Sequence, residues 1–429
     1  MSVLPSRLNP AGAGSPVSAC RSLLASVSGT ALLTVLLTAL LTALLTLGGC
    51  AAPPPVQASL SNTELPFEQA VAEATDGLVA QVRTVPGFFD KLSAKAAKRS
   101  VVLDPMLYAS TGQQTAATQL LERRVVERLA GKPEAIEVLA FQADTLGRAQ
   151  YLLTGTMVRT AADKIRSPLR INLALTDLKS GMVVAQASAL AGSEGLDNTP
   201  LPYYADSPVL VKDKVIDGYA ATSATPPGQR ADPYYLERIS VAAVISEATT
   251  LYNAERYQDS LARYRAAAES PTGDQLRVLN GIYLTSVKLG QSAEAEQAFG
   301  KVVAFGVAYN QLGVKFLFNP GSTVFWSDPK VSGPYAMWLR QIARETTAAK
   351  ACMSIVGHTS HTGSEAANDT LSLQRATFIR QRLVTEAAVL GARTKPSGMG
   401  FRENIVGSGS DNAVDALDRR VEFKIVPCG

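Results

Sequence analysis

Histidine is nearly absent from this chain. Only His358 and His361 occur in 429 residues, three apart on one glycine-flanked stretch. A Ser-His-Asp or Cys-His catalytic group elsewhere is excluded, because each needs an imidazole base. A metal site on these two alone would lack acidic or thiolate support, so neither a metal nor a cofactor is expected. His358 is expected to order its loop by hydrogen bonding. Cysteine is scarce too: Cys20, Cys50, Cys352 and Cys428, with no Cys-x-x-Cys pair to suggest zinc. A strong charge of either sign is missing. The net charge of +4 becomes +2 once Arg7 and Arg21 are lost with a leader, too little to suggest nucleic acid as a partner. No segment suggests the paired carboxylates of glycoside chemistry, so the chain is not expected to be an enzyme.

Charge is also missing locally. Arg7 and Arg21 are the only charged side chains before Glu64. Between them and that glutamate runs Ala31 to Leu47, seventeen residues apolar apart from spaced threonines, ending in Leu47-Gly48-Gly49-Cys50. Seventeen residues are at the short end for a membrane span, and small residues before a cleavage point suit a signal peptidase. The Gly-Gly-Cys ending resembles the lipobox of bacterial lipoproteins. That resemblance implies a signal peptide over 1–49, with Cys50 carrying diacylglycerol and a fatty acyl group such as palmitate. Each buried CH₂ of the anchor adds ~0.8 kcal/mol of membrane affinity. The leader is long enough to leave the true start codon open. Ala51, by resemblance to the enterobacterial sorting rule, implies an outer-membrane lipoprotein facing the periplasm. Residues 50–64, rich in proline and small polar residues, read as a tether. An exported chain meets an oxidising compartment, and Cys352 and Cys428 are the cysteines left. They are expected to pair, closing a loop of about 75 residues worth ~4 kcal/mol; the alternative is two free buried thiols.

What the chain does contain divides it into parts. The expected architecture is multidomain, α/β and α: an N-terminal α/β domain, a short helical-repeat segment and a C-terminal βαβαβ-type α/β sandwich. Over 65–190, apolar residues at helical spacing (Phe67, Ala70, Val71, Ala74, Leu78, Val82) precede a strand at Arg99–Asp104 and a helix at Thr115–Leu129. Alternating strands follow at Tyr151–Val158, Arg170–Asp177 and Met182–Ala187. The strand ending in Leu-Thr-Gly, then one with Leu-Thr-Asp and a returning strand, resembles the domain shared by CsgG-type, FlgO-type and LpoB-type envelope proteins. Residues 191–235, dense in proline and glycine, read as a linker whose Tyr203, Tyr204 and Tyr219 dock locally. Over 236–308 the pairs Ser260/Ala295 and Tyr264/Phe299 recur 35 residues apart, near the tetratricopeptide period. Two such units are fewer than the three usually needed to stand alone, so they must lean on a neighbour.

The last part, 310–429, carries the densest pattern. A strand is predicted at Lys315–Phe318, a helix at Tyr335–Ala343, and a strand at Ser354–Val356 entering Gly357-His358-Thr359-Ser360-His361-Thr362-Gly363. Then come Asn368, Leu371, Ser372, Arg375, Ala376, Ile379 and Leu383 at helical spacing, and finally Arg419-Arg420-Val421-Glu422. These motifs, in this order, resemble the OmpA-like peptidoglycan-binding family. The resemblance implies a ligand, the diaminopimelate-containing stem peptide of peptidoglycan. It implies a site at Thr359, Ser360, Asn368, Leu371, Arg375 and Arg420. Arg375 would grip the ligand carboxylate through two parallel hydrogen bonds. Ser360 stands where the family usually carries Asp, removing a charge that would accept the ligand ammonium; Glu365 or Asp369 would have to replace it. The function implied is a lipid-anchored protein tying the membrane to the cell wall. The alternative is a periplasmic accessory of a secretion or peptidoglycan-synthesis machine, with 65–308 recruiting protein partners.

Overall fold

Strands and helices alternate through residues 59–191: β1 (Ser59–Leu65), α1 (Phe67–Thr84), β2 (Arg99–Leu103), β3 (Leu107–Tyr108), α2 (Ala116–Ala130), β4 (Ile136–Ala140), β5 (Tyr151–Arg159), β6 (Leu169–Asp177) and β7 (Val183–Ala191). The structure, a computed structural model, describes residues 59–84, 99–131, 136–161, 167–319, 321–405, 409, 415 and 418–429. The expected signal peptide, Cys50 and the first part of the expected tether lie outside them. Strand order is β1-β7-β6-β5-β2-β4, with β3 beside β5. The antiparallel ladder β5-β6-β7 follows from short connections, and the remaining pairings are parallel. Leu153 and Met157 of β5 enter the core under α1 and α2, while Leu152 enters a second core on the opposite face, as the period of two requires. Both faces of this sheet are therefore covered.

Two expectations change here. Residues 59–64 are not tether: β1 pairs in parallel with β7 and forms one edge of the sheet. Residues 191–235, read as a linker with local docking, are largely folded, with Tyr203, Tyr204 and Tyr219 buried. They form α3 (Lys214–Ala224) and two short helices, Pro202–Asp206 and Pro233–Leu236. Val215, Ile216 and Tyr219 of α3 build the second core with Leu152 and Tyr235. Proline misled because it opens both short helices, where its missing N–H costs nothing.

Four helices follow: α4 (Ile239–Asn253), α5 (Tyr257–Ala268), α6 (Leu276–Lys288) and α7 (Ser292–Tyr309). Each packs on the next. Gly281 lets α6 approach α5, since a Cβ there would lie 2.4 Å from the Tyr264 ring. The final region is β8 (Leu312–Val314), α8 (Tyr335–Ala348), β9 (Cys352–Gly357), α9 (Glu365–Glu386), β10 (Thr394–Gly398) and β11 (Val421–Val426), with sheet order β10-β9-β11-β8. The first of these strands precedes the predicted Lys315–Phe318. After Val314 the backbone leaves β11, and Lys315 N–H donates to Pro208 O at 2.8 Å. Cys352 and Cys428 are joined by a disulfide between Cα atoms 5.2 Å apart, 76 residues apart in sequence.

The helices and this last region share one apolar core, running from Tyr203 to Phe423. Phe299 of α7 stacks on Trp338 of α8 at 5.5 Å, and Trp338 Nε1 donates to Tyr283 OH of α6 at 2.8 Å. The repeat-like helices thus complete their core against the C-terminal region. Among the described residues no helix is long and apolar enough to cross a membrane.

Candidate functional site

Gly357 sets the site's geometry. It ends β9 where α9 crosses the sheet, and a Cβ there would lie 2.1 Å from Ser372 O. Only glycine allows that approach, and it brings the loop after β9 against the first turns of α9. Backbone bonds then fix the loop from below. His358 N–H donates to Arg420 O at 3.0 Å, and Thr359 N–H to Gly400 O at 2.9 Å. The side chain of Ser364 caps α9 by accepting from Ala367 N–H. Asn368 Nδ2 donates to Thr362 O at 2.7 Å and Ser364 O at 3.0 Å, stapling loop to helix.

A cavity of about 250 Å³ opens between loop and helix. Its polar lining comes from Thr359, Ser360, Thr362, Asn368, Arg375 and Arg419; Phe318, Trp326, Ala367 and Leu371 supply the apolar part. Arg375 is 3% exposed. Its Nε donates to Ser322 O at 3.3 Å and its guanidinium lies 4.9 Å from the Phe318 ring centre. Burial of a guanidinium is costly unless hydrogen-bonding groups surround it. Thr359 Oγ1 is buried and makes no hydrogen bond, and so is available to a molecule entering the cavity. The arrangement can bind an anion; among the described residues, the cavity lining includes neither a carboxylate nor an imidazole to act as a base.

The fold brings together five of the six residues singled out in the sequence: Thr359, Ser360, Asn368, Leu371 and Arg375. Arg420 is the exception. Its side chain pairs with Glu422 at 2.7 Å and donates to Glu403 O at 3.2 Å, away from the cavity. Arg419 lines the cavity instead. The two arginines precede β11, and their side chains go to different partners. Phe318 and Trp326 were not singled out; Trp326, 37% exposed, was recognisable only as an apolar residue left outside the core. Neither candidate for the missing charge reaches the cavity. Glu365 and Asp369 both pair with Arg402, at 3.0 and 2.7 Å.

The two histidines part company. His361 packs its ring on Phe401 at 4.1 Å. His358 is buried; its backbone N–H helps to hold the loop, while its ring Nε2 stands 3.6 Å from Glu422 Oε2. Burial pushes its pKa below the usual histidine value. Glu422 faces it; burial raises that carboxyl, but His358 and Arg420 outweigh burial and hold it at about 2.

A larger cleft, about 860 Å³, lies where β4 meets α4 and α5. Its polar groups are engaged: Arg263 pairs with Glu247 at 3.4 Å and Arg256 with Asp259 at 2.6 Å, and the remaining carboxylate, Glu122, accepts from Met106 N–H at 3.3 Å. Size alone does not make it the better site, since its polar groups are already matched among themselves.

Residues 317–416 match the model of the OmpA family, and the C-terminal region is an OmpA family domain. Among solved structures, the chain is similar to the peptidoglycan-associated lipoprotein from Burkholderia pseudomallei, with 24% identity, 28% of this chain and 92% of that one covered, and a TM-score of 0.22. It is also similar to the periplasmic domain of Helicobacter pylori MotB, with 17% identity, 27% and 73% covered, and a TM-score of 0.21. No curated protein matches.

Proposed function

We propose that this chain is an outer-membrane lipoprotein that holds peptidoglycan without a covalent bond, linking the envelope to the wall. The observation that carries the reading is Arg375, buried on the wall of a cavity inside an OmpA family domain. A guanidinium recognises a carboxylate bidentately, and the stem peptide of peptidoglycan presents one. Thr359, Ser360 and Asn368 supply hydroxyl and amide partners beside it, and Leu371 supplies apolar contact. Arg419 takes the place first given to Arg420. The anchor rests on the Leu-Gly-Gly-Cys50 ending of the apolar run.

The test uses the mature full chain, because the C-terminal region shares its core with α4–α7. Purified sacculi should retain it at low salt. Arg375→Ala should weaken retention by ~2–5 kcal/mol, and Arg375→Lys should recover only part of it, since a lysine keeps the charge and loses the fork. Equal retention of all three overturns the reading.

A second role is compatible with the first. The cleft between β4 and α4–α5 suits a segment of a partner protein, and β4 is an edge strand of the sheet. That supports an accessory function for the CsgG-like sheet and the tetratricopeptide-like helices, tested by crosslinking in cells.

A further inference from the structure

Next to the loop that carries Thr359 and Ser360, and outside the lining of the cavity, three potential metal ligands converge. They are His358 at the end of β9, Glu403 beyond β10 and Glu422 on β11. Their ligand atoms lie within 4.8 Å of one another. We propose that His358, Glu403 and Glu422 form a binding site for a divalent first-row transition ion, with zinc as its representative.

Three independent observations carry this. The His358 side chain is 0% exposed, yet neither ring nitrogen has a hydrogen bond. A buried imidazole normally finds a partner, so this one has an unused lone pair directed into the cluster. Its Nε2 stands 3.6 Å from Glu422 Oε2. That is too long for a hydrogen bond. It is close to the separation of about 3.4 Å between two ligands held on one tetrahedral ion with bonds of about 2.1 Å.

The second observation is a cation already drawn to the spot. The Lys424 ammonium lies 3.3 Å from Glu403 Oε2 and 3.7 Å from Glu422 Oε2. It bridges the two carboxylates where an ion would sit. Lys424 is 44% exposed, so it can swing into solvent and leave the place to a metal. Arg420 holds the other oxygen of Glu422, Oε1, at 2.7 Å and need not move. Glu403, 38% exposed, lies 4.0 Å from the other ring nitrogen, Nδ1, and would rotate to share Nε2 with Glu422.

The third is the donor set. One imidazole and two carboxylates, with a position left for water, suit a borderline ion such as zinc. An ion here would join the end of β9, the turn beyond β10 and β11 next to the loop of the cavity, and so stiffen the segment that presents Thr359 and Ser360. Sequence spacing hid the site, because it coupled His358 to His361 and gave no hint of two glutamates 45 and 64 residues further on.

The test is zinc uptake by the mature chain, which lacks Cys20, stripped with a chelator and with Cys50 lipidated or alkylated. Zinc is titrated against a chromophoric competitor, and cobalt provides an independent absorption spectrum. The wild type should take up one zinc per chain. Glu403→Gln, at a half-exposed position that folding tolerates, should weaken uptake about tenfold or more, and His358→Gln further. Lys424→Met should tighten it, because the competing ammonium is gone; His361→Ala should leave it unchanged. A wild type that takes up no zinc overturns the proposal. So does uptake by Glu403→Gln equal to that of the wild type, or dependence on His361 in place of His358.

Discussion

The C-terminal region and the body before it both bury charged groups, and they treat them in opposite ways. In the body, Asp104 at the end of β2 accepts a hydrogen bond from Tyr235 OH. Tyr219 OH donates to neighbouring carbonyls and accepts from Gly155 N–H at 2.9 Å. Arg277 and Asp213 lie close by. Every partner is another part of the protein, and the remaining space is about 20 Å³. In the C-terminal region, Arg375 and Thr359 line open space of about 250 Å³. Buried polarity therefore does not mark a site by itself; what marks one is buried polarity beside space that a ligand could fill. The body's cluster reads as a joint between the sheet and α6, and the cavity as a place for a ligand.

The regions also differ in how they are held. The body closes a six-strand path between helices on both faces, whereas the C-terminal sheet has four short strands and a covalent link from the start of β9 to the chain end. The sharpest way to break the comparison is to remove that link. Cys352→Ser with Cys428→Ser should lower stability by ~4 kcal/mol in the chain-entropy account, a loop of 76 residues being released in the unfolded chain. Calorimetry should place the loss in the transition that includes α4–α9, since they share the core with the disulfide-linked sheet. A shift confined to the N-terminal sheet would contradict the shared core.

The body's counterpart is a pH effect. Burial raises Asp104 to about 7, against 3.8 in water, with the Tyr235 hydrogen bond and Arg277 pulling the other way. A carboxyl whose folded pKa is raised stabilises the fold fully below its unfolded pKa, and that contribution is lost as pH rises through the folded value. Between about pH 5 and pH 7 the loss comes to ~2 kcal/mol. Asp104→Asn keeps an acceptor for Tyr235 and cannot ionise, so its denaturation midpoint should be flatter over that window. An equal slope in wild type and variant would mean that Asp104 is not the group responsible.

The two regions were unequally legible in the sequence. The cavity could be anticipated because its geometry forces residue types: Gly357 where α9 crosses, Asn368 to staple the loop, Arg375 one turn of spacing beyond Leu371. Arg420 was misplaced because two adjacent arginines look alike in one dimension and point apart in three. In the body, β5, β6 and β7 were visible as alternation, but β4 was not, its five residues being half-buried without a clean period. β1 passed for tether since Ser59–Leu65 has few apolar side chains, and an edge strand is held by its backbone. The Asp104–Tyr235 joint, 131 residues apart, had no local signature at all.

The smallest expected effect tests the boundary between a cavity that awaits a ligand and a cluster that satisfies itself. Ser360 is 4% exposed, and its hydroxyl lies 3.4 Å from Thr362 Oγ1 on the cavity wall. Ser360→Asp introduces a carboxylate there. If the ligand brings an ammonium into the cavity, the new charge-assisted bond should tighten retention on sacculi by ~1–2 kcal/mol. The opposing outcome has its own chemistry. A carboxylate that reaches Arg375 or Arg419 would pair with it inside the cavity, turning the site into the closed arrangement that Asp104 exemplifies, and retention would fall. Measuring sacculus retention of Ser360→Asp beside Ser360→Asn separates the two, because Asn has the shape of Asp without its charge. A gain for Asp alone identifies an ammonium on the ligand. A loss for Asp alone identifies the guanidinium as the group the ligand needs, and equal behaviour of both variants removes Ser360 from the site.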